Sequence, residues 1–262
     1  MQPDIFALRR RQWIFFFGVL FALTYGAILI TNYNVVQGFT AIPRAFARAT
    51  ENFIPDERAW ERLPRILERL WETVLMAISS ATVASAVGLF VALLGANTTR
   101  PHPWFSPPAR GIASIFRNID VSAWALILLF SFGQSSFTGF FALFFVTFGF
   151  IVRVMIETID EVSTDSVEAL RATGAGYVAI ITQSVIPSCL PQLLSWVLFI
   201  IETNIRSATL VGILTGTGIG FLFDLYYKSG SYSSASLVVL VIVVAVLVIE
   251  TISNAIRRAV RG

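Results

Sequence analysis

Asp160-Glu161-Val162-Ser163-Thr164-Asp165-Ser166-Val167-Glu168-Ala169-Leu170-Arg171-Ala172-Thr173-Gly174-Ala175-Gly176-Tyr177 separates two long apolar runs, 137–156 before it and 190–211 after it. Asp165, with Glu168 three residues on, has the spacing of a capping box, so a helix is expected to start near Ser166. Carboxylates at that end also suit the helix dipole. Gly174 fits the position just past a helix end, where a left-handed residue is needed. Tyr177 to Val185 reads as a second short helix, and Pro187, with no N–H to donate, breaks or kinks the chain after it. Residues 163–188 therefore read as a helix-turn-helix on the surface between two membrane crossings. That makes the chain an all-α polytopic membrane protein.

Composition agrees. Of 262 residues, 13% are charged and 56% belong to the hydrophobic set, with 23 Phe. Soluble domains carry about twice that charge, and a soluble globule of this composition would expose large apolar patches. Disorder is excluded for the same reason. One Cys, Cys189, rules out an intrachain disulfide framework. It sits beside Pro187 and Pro191 and reads as an inert small residue. One His, His102, lies in the stiff turn Pro101-His102-Pro103-Trp104 and supplies no His-based metal or nucleophile cluster. The net charge of +3 is almost all Arg. Arg at loop ends sets membrane topology, so no nucleic-acid partner is needed to explain it.

A crossing needs about 20 mainly apolar residues. Six stretches meet this to different degrees: 13–31, 73–94, 111–132, 137–156, 190–211 and 236–256. The first follows Arg9-Arg10-Arg11. Its apolar core is longer than that of a signal peptide, and Thr31-Asn32-Tyr33-Asn34 offers no small-residue cleavage site. The second is rich in Ala, Ser and Gly, which suits close helix packing in lipid. The third is weakest, because Val121 to Phe132 is too short alone and its extension carries Arg117 and Asp120, a simple pair or snorkelling charges. With the N-terminus in the cytoplasm, ten basic residues face inward and seven outward, which favours both termini inside. Asn97-Thr98-Thr99, a glycosylation sequon, then falls on the inner side and is discounted. Trp60-x-x-Leu63-x-x-Ile66-Leu67-x-x-Leu70-Trp71 has helical spacing and reads as an amphipathic helix at the outer interface, a plain loop being the alternative.

Glu168-Ala169-Leu170, Gly174 four residues later and Pro187 thirteen after that resemble the EAA loop of ABC importer permeases. Leu170 stands where the second Ala is usual, and Ser184 where an aliphatic residue is. Glu168 to Ala175 also looks like the form in phosphonate-type permeases. So does Glu202-Thr203-Asn204-Ile205-Arg206-Ser207-Ala208-Thr209, followed by Thr215-Gly216-Thr217-Gly218-Ile219-Gly220 in place of the usual Gly-Ala-Gly-Gly-Ile-Gly. The similarity runs from about Arg117 onward.

This resemblance implies a type I importer permease fold like that of methionine importers, in the bacterial cytoplasmic membrane. It implies a second permease chain, identical or sibling, two cytoplasmic ATPase subunits that bind ATP and Mg, and an external substrate-binding protein. Glu168, Ala169, Leu170, Gly174 and Pro187 would couple the chain to the ATPase. The Ala-rich face suits docking into a groove.

Glu202 and Arg206 are four apart and can pair on one helix face. Charges at mid-membrane usually line a polar interior. With Asn204, Ser207 and Thr209 they are candidates for the translocation path or its gate, a simple helix-locking pair being the alternative. Gly216, Gly218 and Gly220 lack a Walker ending, so they are no ATP site. They fit a tight or re-entrant segment at the outer end, with Asp224, Tyr226, Tyr227 and Lys228 facing the binding protein. The expected cargo is a phosphonate-like or related phosphorus oxyanion, with an amino acid or phosphate as the alternative. An intramembrane enzyme or a passive pore fits less well.

Overall fold

The computed structural model describes residues 5–52 and 54–261, and those residues are helical with no strand among them. They fall into two compact units, one up to residue 53 and one from Ile54 onward.

The first unit holds α1 (Ile5–Ile30) and α2 (Val35–Asn52). Arg9–Ile30 is long and apolar enough to cross a membrane. Asn32 takes a left-handed backbone in the turn, and the Asn34 side chain accepts the Gln37 N–H to start α2. In α2, Val36, Phe39, Ile42 and Phe46 fall on one face, with Gln37, Arg44, Arg48 and Glu51 on the other. The amphipathic helix of this region is therefore at 35–52, not at 60–71 as the spacing suggested. Trp60 lies in α3 (Glu57–Glu61), and Leu63 to Trp71 form the first turns of α4 (Leu63–Gly95). The reason is packing: Leu63, Ile66 and Leu70 join Ile219, Leu222, Leu237 and Val238 in a protein core, while Trp60, Leu67 and Trp71 of the same stripe stay exposed.

The second unit is a helical bundle: α4, α5 (Ser106–Asn118), α6 (Val121–Phe132), α7 (Ser136–Val162), α8 (Thr164–Ala172), α9 (Tyr177–Ile180), α10 (Ile186–Thr215), α11 (Gly218–Lys228) and α12 (Tyr232–Arg261). The α4 face toward the core is built of Ala77, Ser80, Ala81, Ala84, Gly88 and Ala92, all buried. Such small residues bring helix backbones together where lipid gives no hydrophobic drive. A side chain at Gly149 of α7 would strike the Arg117 backbone nitrogen at 2.5 Å, so α5 and α7 meet backbone to backbone there.

Among the described residues five helices qualify as crossings, and the expected third span, 111–132, is instead a bent pair. Its arms, α5 and α6, meet at 89°. Asp120 causes the corner: its extended backbone leaves the helix, and its carboxylate accepts the Ser122 N–H to cap α6. Phe116 stacks on Trp124 at 5.3 Å across the bend. The 12 residues of α6 reach only about 18 Å, short of the roughly 30 Å hydrocarbon core.

Two further boundaries differ from expectation. The α8 helix starts at Thr164, and no capping box forms, because Ser163 is already helical and continues from α7. Pro187 does not break the chain. Helix runs from Tyr177 to Thr215, and a π turn at Ile181–Val185 takes up the strain. The wider turn bonds the Ile186 N–H to the Ile181 carbonyl, five residues back, just before the proline that has no N–H to offer.

Candidate functional site

Three regions carry the expected site residues. In the first, the end of α8 is fixed by backbone geometry. Gly174 has φ +81, its N–H bonds the Arg171 carbonyl, and the Ala175 N–H bonds the Leu170 carbonyl. That is a Schellman ending, as Gly174 led us to expect. Val167 is buried and Leu170 packs against the same core, while Glu168, Ala169 and Ala172 are exposed. The two departures from the EAA pattern are thereby explained. Leu170 points inward as an anchor, and the Ser184 hydroxyl donates to Ser166 at 2.8 Å, holding the turn to α8. Pro187 lies in the first turn of α10 and is itself exposed.

The second region is on α10. Arg206 donates to Glu202 Oε1 at 2.9 Å, so the expected pair forms. Sequence reasoning missed a third member. Arg257 of α12 reaches Glu202 Oε2 at 3.5 Å and Asn254 at 2.8 Å. One buried carboxylate thus faces two guanidiniums, leaving a net positive charge. No local signal in the sequence brings α12 to α10.

Asn204 does not stand with Arg206. It is buried on the opposite side of α10, where its amide bonds Thr147 of α7 at 2.9 Å and Ser80 of α4 at 3.3 Å. Ser207 is half-buried, and Thr209 bonds its own helix at Ile205. The Arg206 side chain is 49% exposed on a helix long enough to cross a membrane. A guanidinium in contact with lipid there would be costly, so that face of α10 calls for a polar space or another chain.

Beyond α10 the glycines form a tight turn. Gly216 and Gly218 have φ +70 and +60. The Ile219 N–H donates to the Thr73 hydroxyl at 2.8 Å, and the Thr215 and Thr217 hydroxyls meet at 2.9 Å. Gly220 lies against the Thr209 carbonyl with no room for a side chain. The 11 residues of α11 span only about 16 Å, so the segment folds back into the bundle without crossing. Asp224 and Lys228 pair with each other at 2.7 Å, and Tyr226 is buried under Arg62. Among the described residues no group of three His, Cys, Asp or Glu could hold a metal ion.

A helix-turn with this glycine ending between two spans, followed by a charged α10 and a folded-back α11, has a counterpart among known proteins. The family described as binding-protein-dependent transport system inner membrane component matches residues 69–261. The chain belongs to this family. It is a multi-pass inner-membrane permease, and the matched part starts within α4 and takes in every helix after it.

This permease is 26% identical over 242 residues to the phosphite transport system permease protein PtxC of Stutzerimonas stutzeri, covering 92% of this chain and 86% of that one. It is 26% identical over 186 residues to the phosphate-import permease protein PhnE of Mycolicibacterium smegmatis, covering 71% of this chain but spanning only 35% of that protein. Among solved structures, a chain of the inward-facing MetNI methionine ABC transporter aligns with a TM-score of 0.66 and 23% identity, over 74% of this chain and 95% of that one. The fold is thus that of a methionine-importer-like permease.

Proposed function

We propose that this permease carries a phosphonate-like or related phosphorus oxyanion through the membrane as the transmembrane subunit of an ATP-driven importer. The observation that carries this is the α10 cluster. Glu202 neutralises one of two guanidiniums, and Arg206 keeps half its surface open on a crossing helix. Arg is the side chain best suited to bidentate contact with phosphorus oxyanions. The name of the Stutzerimonas relative, a phosphite permease, supports this cargo class, and that of the Mycolicibacterium relative, a phosphate-import permease, supports the phosphate alternative.

In this reading two permease chains, identical or sibling, pair so that the Arg206 faces meet. Two cytoplasmic ATPase subunits bind ATP and Mg, and each receives the exposed face of Glu168, Ala169 and Ala172. Both termini of the permease are cytoplasmic. An external binding protein delivers the cargo near the folded-back α11. Closure of the ATPase pair moves α8, and α8 carries that motion into the bundle, which needs two global states biased from both ends.

The test is ATP hydrolysis by the reconstituted complex with its binding protein, compared across phosphate, phosphite, several phosphonates and amino acids. Stimulation by one or more phosphorus oxyanions is expected. A response confined to amino acids would reject the cargo.

A further inference from the structure

Asp160, in the last turns of α7, joins three pieces of chain at a single carboxylate. Its Oδ1 accepts the backbone N–H and the hydroxyl of Thr98, both at 3.0 Å. Its Oδ2 accepts the Asn97 amide at 3.0 Å and the Arg110 guanidinium of α5 at 3.2 Å. Arg110 is held in place from its other side by the Ser106 hydroxyl at 3.1 Å. The turn gripped by Asp160 is gripped again from α8, where Arg171 donates to the Thr98 carbonyl at 2.6 Å. An unbroken chain of polar contacts therefore runs from α8, through the turn after α4, to α5. Three residues on from the end of Arg110's helix, at Val121, begins the other arm of the 89° corner, α6.

We propose that Asp160 is a positioning residue for transport: it binds the α4–α5 turn and α5 to α8, so that displacement of α8 is delivered to the bent pair α5–α6. This rests on the reading of α8 as the ATPase-contacting helix. Four hydrogen bonds, one of them to a guanidinium, make this a stiff joint, because charge-assisted bonds are shorter and stronger than neutral ones. Without it α8 keeps its apolar anchors, Val167 and Leu170, the Ser166–Ser184 bond and the Arg171 bond to the Thr98 turn, but that turn is no longer tied through Asp160 to α5. A carboxylate that merely tidied a turn would not need a partner on α5, nor would Arg171 need to reach the same turn.

The experiment uses the whole reconstituted complex and reads cargo moved per ATP hydrolysed. In Asp160→Ala the complex should assemble and hydrolyse ATP within about twofold of the parent, while cargo per ATP falls about tenfold, a size ordinary for coupling between sites. Asp160→Asn, which keeps an acceptor for Thr98 but not the charge for Arg110, should fall between. Arg171→Ala removes the second link from an exposed position and should lower cargo per ATP in the same direction, whether or not Asp160→Ala folds. An unchanged ratio in Arg171→Ala, or hydrolysis and transport falling in proportion in Asp160→Ala, overturns the proposal. Cross-linking from Ala169→Cys to the ATPase separates the two layers. A cross-link with an unchanged ratio removes Asp160 alone, and no cross-link in the otherwise unaltered chain removes the docking of α8 and this proposal with it.

Discussion

Glu202 is the residue on which the charge arrangement turns. Its side chain is 9% exposed and holds Arg206 and Arg257 together. Replacing it by Ala would leave two like charges together, Arg206 half exposed and Arg257 largely covered. The cost should therefore lie at or below the lower end, about 3 kcal/mol, of what losing one partner of a fully buried pair costs. Thermal melting of the purified chain should fall by up to roughly 12 °C, at about 2–4 °C per kcal/mol for a domain of this size. Arg206→Ala, on the exposed side of the pair, should instead keep assembly and melting near those of the parent while uptake of the phosphorus oxyanion stops. Uptake that survived would take Arg206 out of the path. Gly174→Val is a different case, since its surroundings are open but its φ of +81 is not available to a β-branched residue. Straining it costs about 1–2 kcal/mol and unwinds the α8 ending, so ATP-driven uptake should be lost. The Glu202–Arg206 pair was legible in the sequence because four-residue spacing fixes which side chains share a helix face. Arg257 was not, because nothing local says that the end of one helix lies level with the interior of another.

At the scale of elements, length and apolarity made most crossings visible, and the misses came from competition between local rules and packing. The capping box at Asp165 lost to a helix arriving from α7. The proline at 187 was accommodated by one wide turn. The apolar stripe 60–71 was real, but half of it, Leu63, Ile66 and Leu70, packs on α11 and α12, and Trp60, Leu67 and Trp71 stay exposed. Close packing around α11 gives a sharp test. Gly220→Ala pushes a methyl into the Thr209 carbonyl and should destabilise by about 1–3 kcal/mol or more, as overpacking does. Gly111→Ala, where nothing lies within 4 Å, should be neutral or slightly stabilising. Comparing the two melting curves checks this.

The start of α12 gives a pH test. Asp56 accepts the Ser233 hydroxyl and the Ala59 N–H, and the Ser233 bond, then the backbone bond, hold its carboxyl below the ordinary 3.8. A lowered carboxylate stabilises the fold above its ordinary value and loses that contribution as pH falls through the lowered one. Hydrogen-exchange protection at Asp56 to Ala59, taken relative to the intrinsic rate at each pH, should therefore fall below about pH 4, and Asp56→Asn should flatten that dependence. Protection that stays constant with pH in the parent would contradict it.

For the molecule as a whole, the family match begins at residue 69. The unit of α1 and α2 thus lies outside it, and no motif in the first hundred residues pointed beyond general layout. The sequence was most informative where a short motif met a required backbone state, as at Gly174. It was least informative where distant helices had to be brought together, as at Asp160.

The half-open guanidinium of Arg206 has a consequence for the life of the chain before it works. If a second permease chain covers that face, as proposed, a subunit newly inserted alone must hold the charge against lipid or drag water inward, at a cost of up to about 2.5–3.5 kcal/mol by insertion scales. The orphan is thus a less settled membrane resident than the assembled form, and surveillance proteases in the membrane have a physical mark to read. Pulse-chase of the chain made alone should show rapid turnover, slowed by co-expression of its partners and slowed equally by Arg206→Leu. Equal lifetimes for the parent and Arg206→Leu chains made alone would show that this charge is not the mark.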